Sequence, residues 1–121
     1  MGRFYYDQHV VEFDDRILAH LQMVMIAKLR RGEPFLFTWT DATGRSAVWV
    51  NPSATIAFTF SDPAPQPINR AWIDALVLTA NAPSGLLPVP EPEPRTERVQ
   101  HDQDREDEPT AISRTLTRRR R

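Results

Sequence analysis

Residues 14–40 read DDRILAHLQMVMIAKLRRGEPFLFTWT, and within this stretch the spacing of apolar residues changes period. Up to Arg31 they recur every three or four residues, and Ile17, Leu18, Leu21, Val24, Met25 and Leu29 share one face of a helical wheel. From Phe35 to Thr40 they alternate, with Phe35, Phe37 and Trp39 on one side, as in a strand with one buried face. Gly32 and Pro34 stand between the two patterns, a glycine that closes a helix and a proline that cannot extend it. Asp14 or Asp15 is expected to cap the helix, because a carboxylate there accepts unpaired backbone N–H groups and suits the positive end of the dipole. Met23, Ile26 and Ala27 lie off the core face. The helix is therefore partly apolar on its far side too, and either sits between two layers or offers a patch to a partner.

Downstream, Asp41-Ala42-Thr43-Gly44 reads as a turn, with Arg45 to Val50 returning as the second strand of a hairpin. Asn51-Pro52-Ser53 breaks the chain, and Ile56, Phe58 and Phe60 alternate again. These segments predict a three-stranded antiparallel meander. Upstream, Arg3 to Tyr6 and His9 to Phe13 predict a short hairpin around Asp7-Gln8, although Asp-Gln is a poor tight-turn pair. Asp62 to Pro67 carries prolines at every second position and reads as a stiff, extended connector. Asn69 is a good cap for a second helix to about Asn81, with Trp72, Ile73, Leu76, Val77 and Ala80 toward the core and Arg70 and Asp74 toward solvent. Pro83 and Gly85 end that helix, and Leu86 to Val89 is expected against the domain surface. The order β-β-α-β-β-β-α predicts an α+β domain, two helices packed on an antiparallel sheet of about five strands.

Residues 1–89 thus make one small domain. Residues 90–121 hold no aromatic residue and only Val99, Ile112 and Leu116 as large aliphatics, so they are expected to form a disordered tail. Its first part, 91–108, is acidic, with eight carboxylates against Arg95, Arg98 and Arg105, and its end, 114–121, is basic through Arg114 and Arg118 to Arg121. Over 121 residues the formal net charge is −1. There is no cysteine, which excludes disulfides, thiolate metal sites and thiol catalysis. Met1 to Asp7 does not read as a secretion signal and no apolar run is long enough for a bilayer, so the expected location is the cytoplasm.

No catalytic residue, cofactor or metal is expected. Gly-rich phosphate loops, a Gly-x-Ser-x-Gly elbow and metal-ligand histidine spacings are all absent from the sequence, and His9, His20 and His101 are widely separated. Asp14 and Asp15 could be read as paired carboxylates with His20 as a base, but adjacent helical residues face apart, so a catalytic dyad is not expected. Lys28, the sole lysine, falls in the apolar stripe. A desolvated lysine can act as a nucleophile. A lysine in the last helical turn, however, lays its methylenes on apolar surface and puts its charge at the negative end of the dipole. Lys28, Arg30, Arg31, Arg45 and Arg70 are candidate nucleic-acid contacts, although at about 100° per residue Lys28 and Arg30 point apart. Trp39, Trp49 and Trp72 could stack bases, but aromatics alternating along strands are usually core. Met23 and Ile26 are the candidate interaction face.

Several of these residues together resemble one family. They are Phe13-Asp14-Asp15-Arg16 with Leu18-Ala19-His20-Leu21, Lys28-Leu29-Arg30-Arg31 with Glu33, Phe35, Phe37 and Trp39, and Gly44-Arg45-Ser46 with Trp49 and Pro52-Ser53. Asn69-Arg70-Ala71-Trp72-Ile73 and Asn81 with Gly85-Leu86 complete the set. Over about residues 1–90 the chain resembles a small actinobacterial domain family of unknown function, many of whose members carry the label "ATP-dependent DNA ligase". Where that family has a histidine this chain has Asn51. A ligase of that type attacks ATP with the lysine of Lys-x-Asp-Gly, and here Arg30-Arg31 follow Lys28-Leu29. The chain is also too short for the two domains such an enzyme needs. The resemblance therefore implies a family and not an activity. The expectation is a non-enzymatic module that binds a partner protein or itself, and the alternative is a DNA-associated accessory protein.

Overall fold

The computed structural model describes residues 1–94, so most of the tail expected from residue 90 onward lies outside the described residues. The chain forms β1 (Gly2–Tyr6), β2 (His9–Phe13), α1 (Asp15–Arg30), β3 (Phe35–Asp41), β4 (Gly44–Val50), β5 (Ile56–Thr59) and α2 (Arg70–Ala80). This is the α+β order read from the sequence, with two helices and five antiparallel strands. The strands divide into two sheets, β2-β1-β5 and β3-β4, where one was expected.

The division comes from β5. It does not extend the β3–β4 hairpin into a meander. It pairs with β1, in the register Arg3↔Thr59 to Tyr6↔Ile56. The cause lies at Asn51-Pro52-Ser53. The Asn51 side-chain oxygen accepts the Ser53 backbone N–H at 3.0 Å and its hydroxyl at 2.7 Å, turning the chain away from β4. Pro52 has no N–H to offer a ladder. β1 meanwhile presents an edge opposite β2, and pairing there sets Phe4 against Phe58 with ring centroids 5.4 Å apart. The β1–β2 hairpin closes at Tyr6↔His9 despite its unfavourable turn pair, with Asp7 at φ 52°. Aspartate tolerates that left-handed conformation better than most residues.

Leu18, Leu21, Val24 and Met25 of α1 are buried against the sheets, and Ile17 and Leu29 pack beside them. Phe35, Phe37 and Trp39 are all buried, and Phe4 meets Phe37 edge to face at 5.6 Å. Each fully buried side chain of this size contributes about 1.5–3 kcal/mol. Trp72, Leu76 and Ala80 bury the inner face of α2, whereas Val77, expected in the core, is 36% exposed. Trp49 also departs from expectation. It is 57% exposed on the outer side of β4, where its backbone carbonyl accepts the Tyr6 hydroxyl at 2.6 Å.

Leu86, expected to lie against the domain surface, is fully buried within the core. Its N–H donates to the Leu36 carbonyl at 2.8 Å and its carbonyl accepts the Thr38 N–H at 3.0 Å, so it serves the free edge of β3. Gly85 permits this approach. It sits at φ 86°, and a Cβ there would lie 2.6 Å from the Leu36 carbonyl oxygen.

α1 and α2 lie side by side and run the same way. At one end His20 of α1 meets Asn69, the residue before α2, and at the other Lys28 meets Asn81, the residue after it. α1 is thereby covered by the sheets on one flank and by α2 on the next. Among the described residues no helix is long and apolar enough to cross a membrane.

Candidate protein-docking groove

The two aspartates that open α1 do different work. Asp14 is the cap, its carboxylate accepting the Arg16 N–H at 3.1 Å. Asp15 does not cap. Its two oxygens accept the backbone N–H groups of Ser61 at 3.2 Å and Asp62 at 2.9 Å, and these bonds, that of Asp62 foremost, hold its carboxyl below the usual range. Next to it, Arg16 Nη1 donates to the Pro67 carbonyl at 2.7 Å. The proline-rich connector is thus stapled at both ends to the first turn of α1, crossing the outer side of the helix there. Proline rings supply no N–H with which the intervening residues could zip onto a neighbour. The Asp62 carboxylate instead accepts the Ala64 N–H at 3.0 Å, a local turn that stiffens the span.

A hollow of about 550 Å³ opens between this span and the helix, with Ala19, Gln22 and Met23 on the helical side and Phe60, Asp62 and Ile68 among the residues opposite. A second hollow of about 460 Å³ continues toward the C-terminal end of α1, over Gln22, Met23, Ile26, Ala27 and Arg30. Gln22 and Met23 line both. Met23, 47% exposed, is therefore a ridge between two apolar depressions, and Ile26, partly buried, lines the second. The structure brings together the two residues that the sequence nominated for an interaction face. The wall contributed by 60–68 was missed, because its alternating prolines read only as a linker.

The basic candidates are dispersed. Lys28 Nζ donates to Asn81 Oδ1 at 2.7 Å and to Glu33 at 3.4 Å, and Arg31 also bonds Glu33 at 3.3 Å. Arg31 first, then Lys28, lower the Glu33 carboxyl below its ordinary value. Arg30 is exposed in the last turn of α1, Arg45 on β4, and Arg70 at the start of α2, the end remote from Lys28. Lys28 is a bridge between the C-terminal ends of two helices, where both dipoles favour its charge.

His20 was set aside in the sequence as a base and is a structural pivot. It is fully buried. Nδ1 faces the Arg16 carbonyl at 2.8 Å, and Nε2 accepts the Asn69 N–H at 2.9 Å, which fixes the neutral ring with its proton on Nδ1. The ring stacks on Trp72 at 4.4 Å. Trp72 Nε1 donates to the Val89 carbonyl at 2.9 Å. Glu91, read as the start of the acidic tail, is gripped by Arg16 at 2.9 and 2.6 Å and by Asn69 Nδ2 at 2.9 Å. These partners, Arg16 foremost, pull its carboxyl down to about 2.

A third hollow, of about 650 Å³, lies between β2 and the β3–β4 hairpin and is more polar, with His9, Glu12, Asp41 and Ser46 on its walls. Two of its carboxylates are already engaged. Glu12 pairs with Arg3 at 3.2 Å, and Asp41 accepts the Thr43 hydroxyl at 2.6 Å and N–H at 2.9 Å, which lowers its carboxyl. Among the described residues no group of three or more His, Asp or Glu side chains could hold a metal ion.

The model of a domain of unknown function (DUF7882) matches residues 1–91. No curated protein and no solved structure matches the chain.

Proposed function

We propose that this chain, which belongs to the DUF7882 family of domains of unknown function, is a non-enzymatic docking module whose binding surface is the outer face of α1 and the connector stapled across it. The observation that carries the reading is the ridge of Met23 between two contiguous apolar hollows, on a helix whose remaining faces are already covered. Single exposed apolar residues are ordinary, but a continuous apolar trough with a projecting side chain is the form of an interaction site. Covering the exposed part of one methionine contributes about 1 kcal/mol, so the hollows on either side must fill for association to follow. The titratable groups elsewhere support the same reading, because Lys28 bonds Asn81 and Glu33, His20 bonds Asn69, and Glu91 bonds Arg16, contacts that tie α1 to the segments packed beside it.

The test is photocrosslinking inside cells that naturally make the protein, with a photoreactive phenylalanine at Gln22 and a control at Ala47 on the outer side of β4. A discrete adduct from position 22, lost in Met23→Glu and absent from position 47, is the expected result. Equal or no adducts from the two positions would remove the docking face.

A further inference from the structure

We infer that the groove is built for a second copy of this chain, laid α1 against α1 in antiparallel register about a twofold axis near Met23. The inference rests on the docking reading and names its partner. A twofold contact uses one patch on both copies, so that patch must carry a projection and a recess that fit each other. This face carries both: Met23 projects, and a hollow lies on each side of it along the helix. Four residues before and after Met23 stand Ala19 and Ala27. Small side chains at those positions leave room beside Met23 and let two helices approach to about 8–10 Å, so that each Met23, on its own side of the axis, enters a hollow of the other copy.

Charge fixes the direction. Asp62 lines the hollow at the N-terminal end of the face, and Arg30 lines the hollow at the C-terminal end. Antiparallel pairing sets each Arg30 toward the Asp62 end of the other copy. Parallel pairing would set like charges together. Arg16 also lies at the Asp62 end, but its charge is matched by Glu91 at 2.6 Å. From Ala19 to Arg30 the face is about 17 Å long, at about 1.5 Å per residue, and one helix wide. Such a face falls below the roughly 800 Å² per partner of a durable interface, so the pairing is reversible and depends on concentration.

Sedimentation equilibrium of the purified full chain, from about 1 μM to about 1 mM, decides the matter. The expected mass rises from 13.9 kDa toward twice that value. Met23→Glu should stay monomeric. Arg30→Asp alone and Asp62→Arg alone should each weaken pairing by about tenfold or more, because each sets like charges together at both symmetric contacts. An equimolar mixture of those two variants should pair again, since the carboxylate introduced at position 30 of one copy then meets the guanidinium introduced at position 62 of the other. The second contact of that mixed pair keeps its original Arg30 and Asp62. Unchanged melting temperatures of these surface variants establish that they fold. A wild-type monomer up to about 1 mM overturns self-pairing, as does a dimer indifferent to Arg30→Asp or a mixture that fails to pair. The photocrosslink at position 22 is read separately: an adduct to a different protein, beside a monomer in the centrifuge, sinks the second copy and keeps the docking face.

Discussion

His20 shows how a polar side chain can specify a packing arrangement. Both ring nitrogens are used, and Nε2 is the acceptor for a backbone N–H that no water can reach. His20→Phe keeps a ring against Trp72 but orphans the Asn69 N–H, so it should cost about 1–3 kcal/mol in urea unfolding. A loss within about 0.3 kcal/mol would mean that the bond to Asn69 carries nothing. The sequence marked His20 only as a candidate base, because a helical wheel shows what faces one neighbour and cannot show a second helix arriving at the flank. Lys28 is more legible. Its position in the last helical turn implied a snorkelling cation, and its ammonium does reach polar partners, Asn81 and Glu33. The wheel could not supply Asn81, which lies 53 positions away.

At the scale of elements, helix boundaries were legible because the capping residues are short-range signals: Asp14, one of the two aspartates expected to cap α1, and Gly32, Asn69 and Asn81 stand at the helix ends. Strand partners were not, since the period-two pattern of β5 is satisfied equally by β4 and by β1, and only the turn at Asn51 decides between them. Leu86 was missed for a related reason, as a single residue bridging a sheet edge has no period. Gly85→Ala tests that bridge. The added methyl would meet the Leu36 carbonyl in a conformation L-residues avoid, and the variant should lose about 2–4 kcal/mol by thermal or chemical unfolding. The contact of Glu91 with Arg16 and Asn69 carries its own pH signature. The ionised carboxylate is the bonded form, and its folded value near 2 lies below the ordinary 4.5. The contact therefore stabilises fully above about pH 4.5 and is lost as pH falls toward 2. The Trp72 indole N–H, bonded to Val89 two residues before Glu91, should report this in NMR with a midpoint near 2 that disappears in Glu91→Gln. A midpoint near 4.5 would show that Arg16 does not hold the carboxylate in solution.

The whole molecule is arranged around α1. The sheets cover one of its flanks and α2 the next, the connector crosses its first turn, and what is left is one apolar strip with a charge of each sign at its ends. The sequence pointed to this strip through Met23 and Ile26, which fall off the core face of the wheel, and could not show the connector that makes it a groove. The three methionines allow the strip to be watched directly: Met25 lies in the core, Met1 at the exposed start of the chain, and Met23 on the ridge. Methyl NMR of the ¹³C-methionine-labelled chain, recorded from about 10 μM to about 1 mM, tests whether that ridge is where two copies meet. The Met23 methyl signal should shift with concentration while those of Met25 and Met1 stay in place. A Met23 signal that does not move over that range, or that moves no more than Met25, would contradict it.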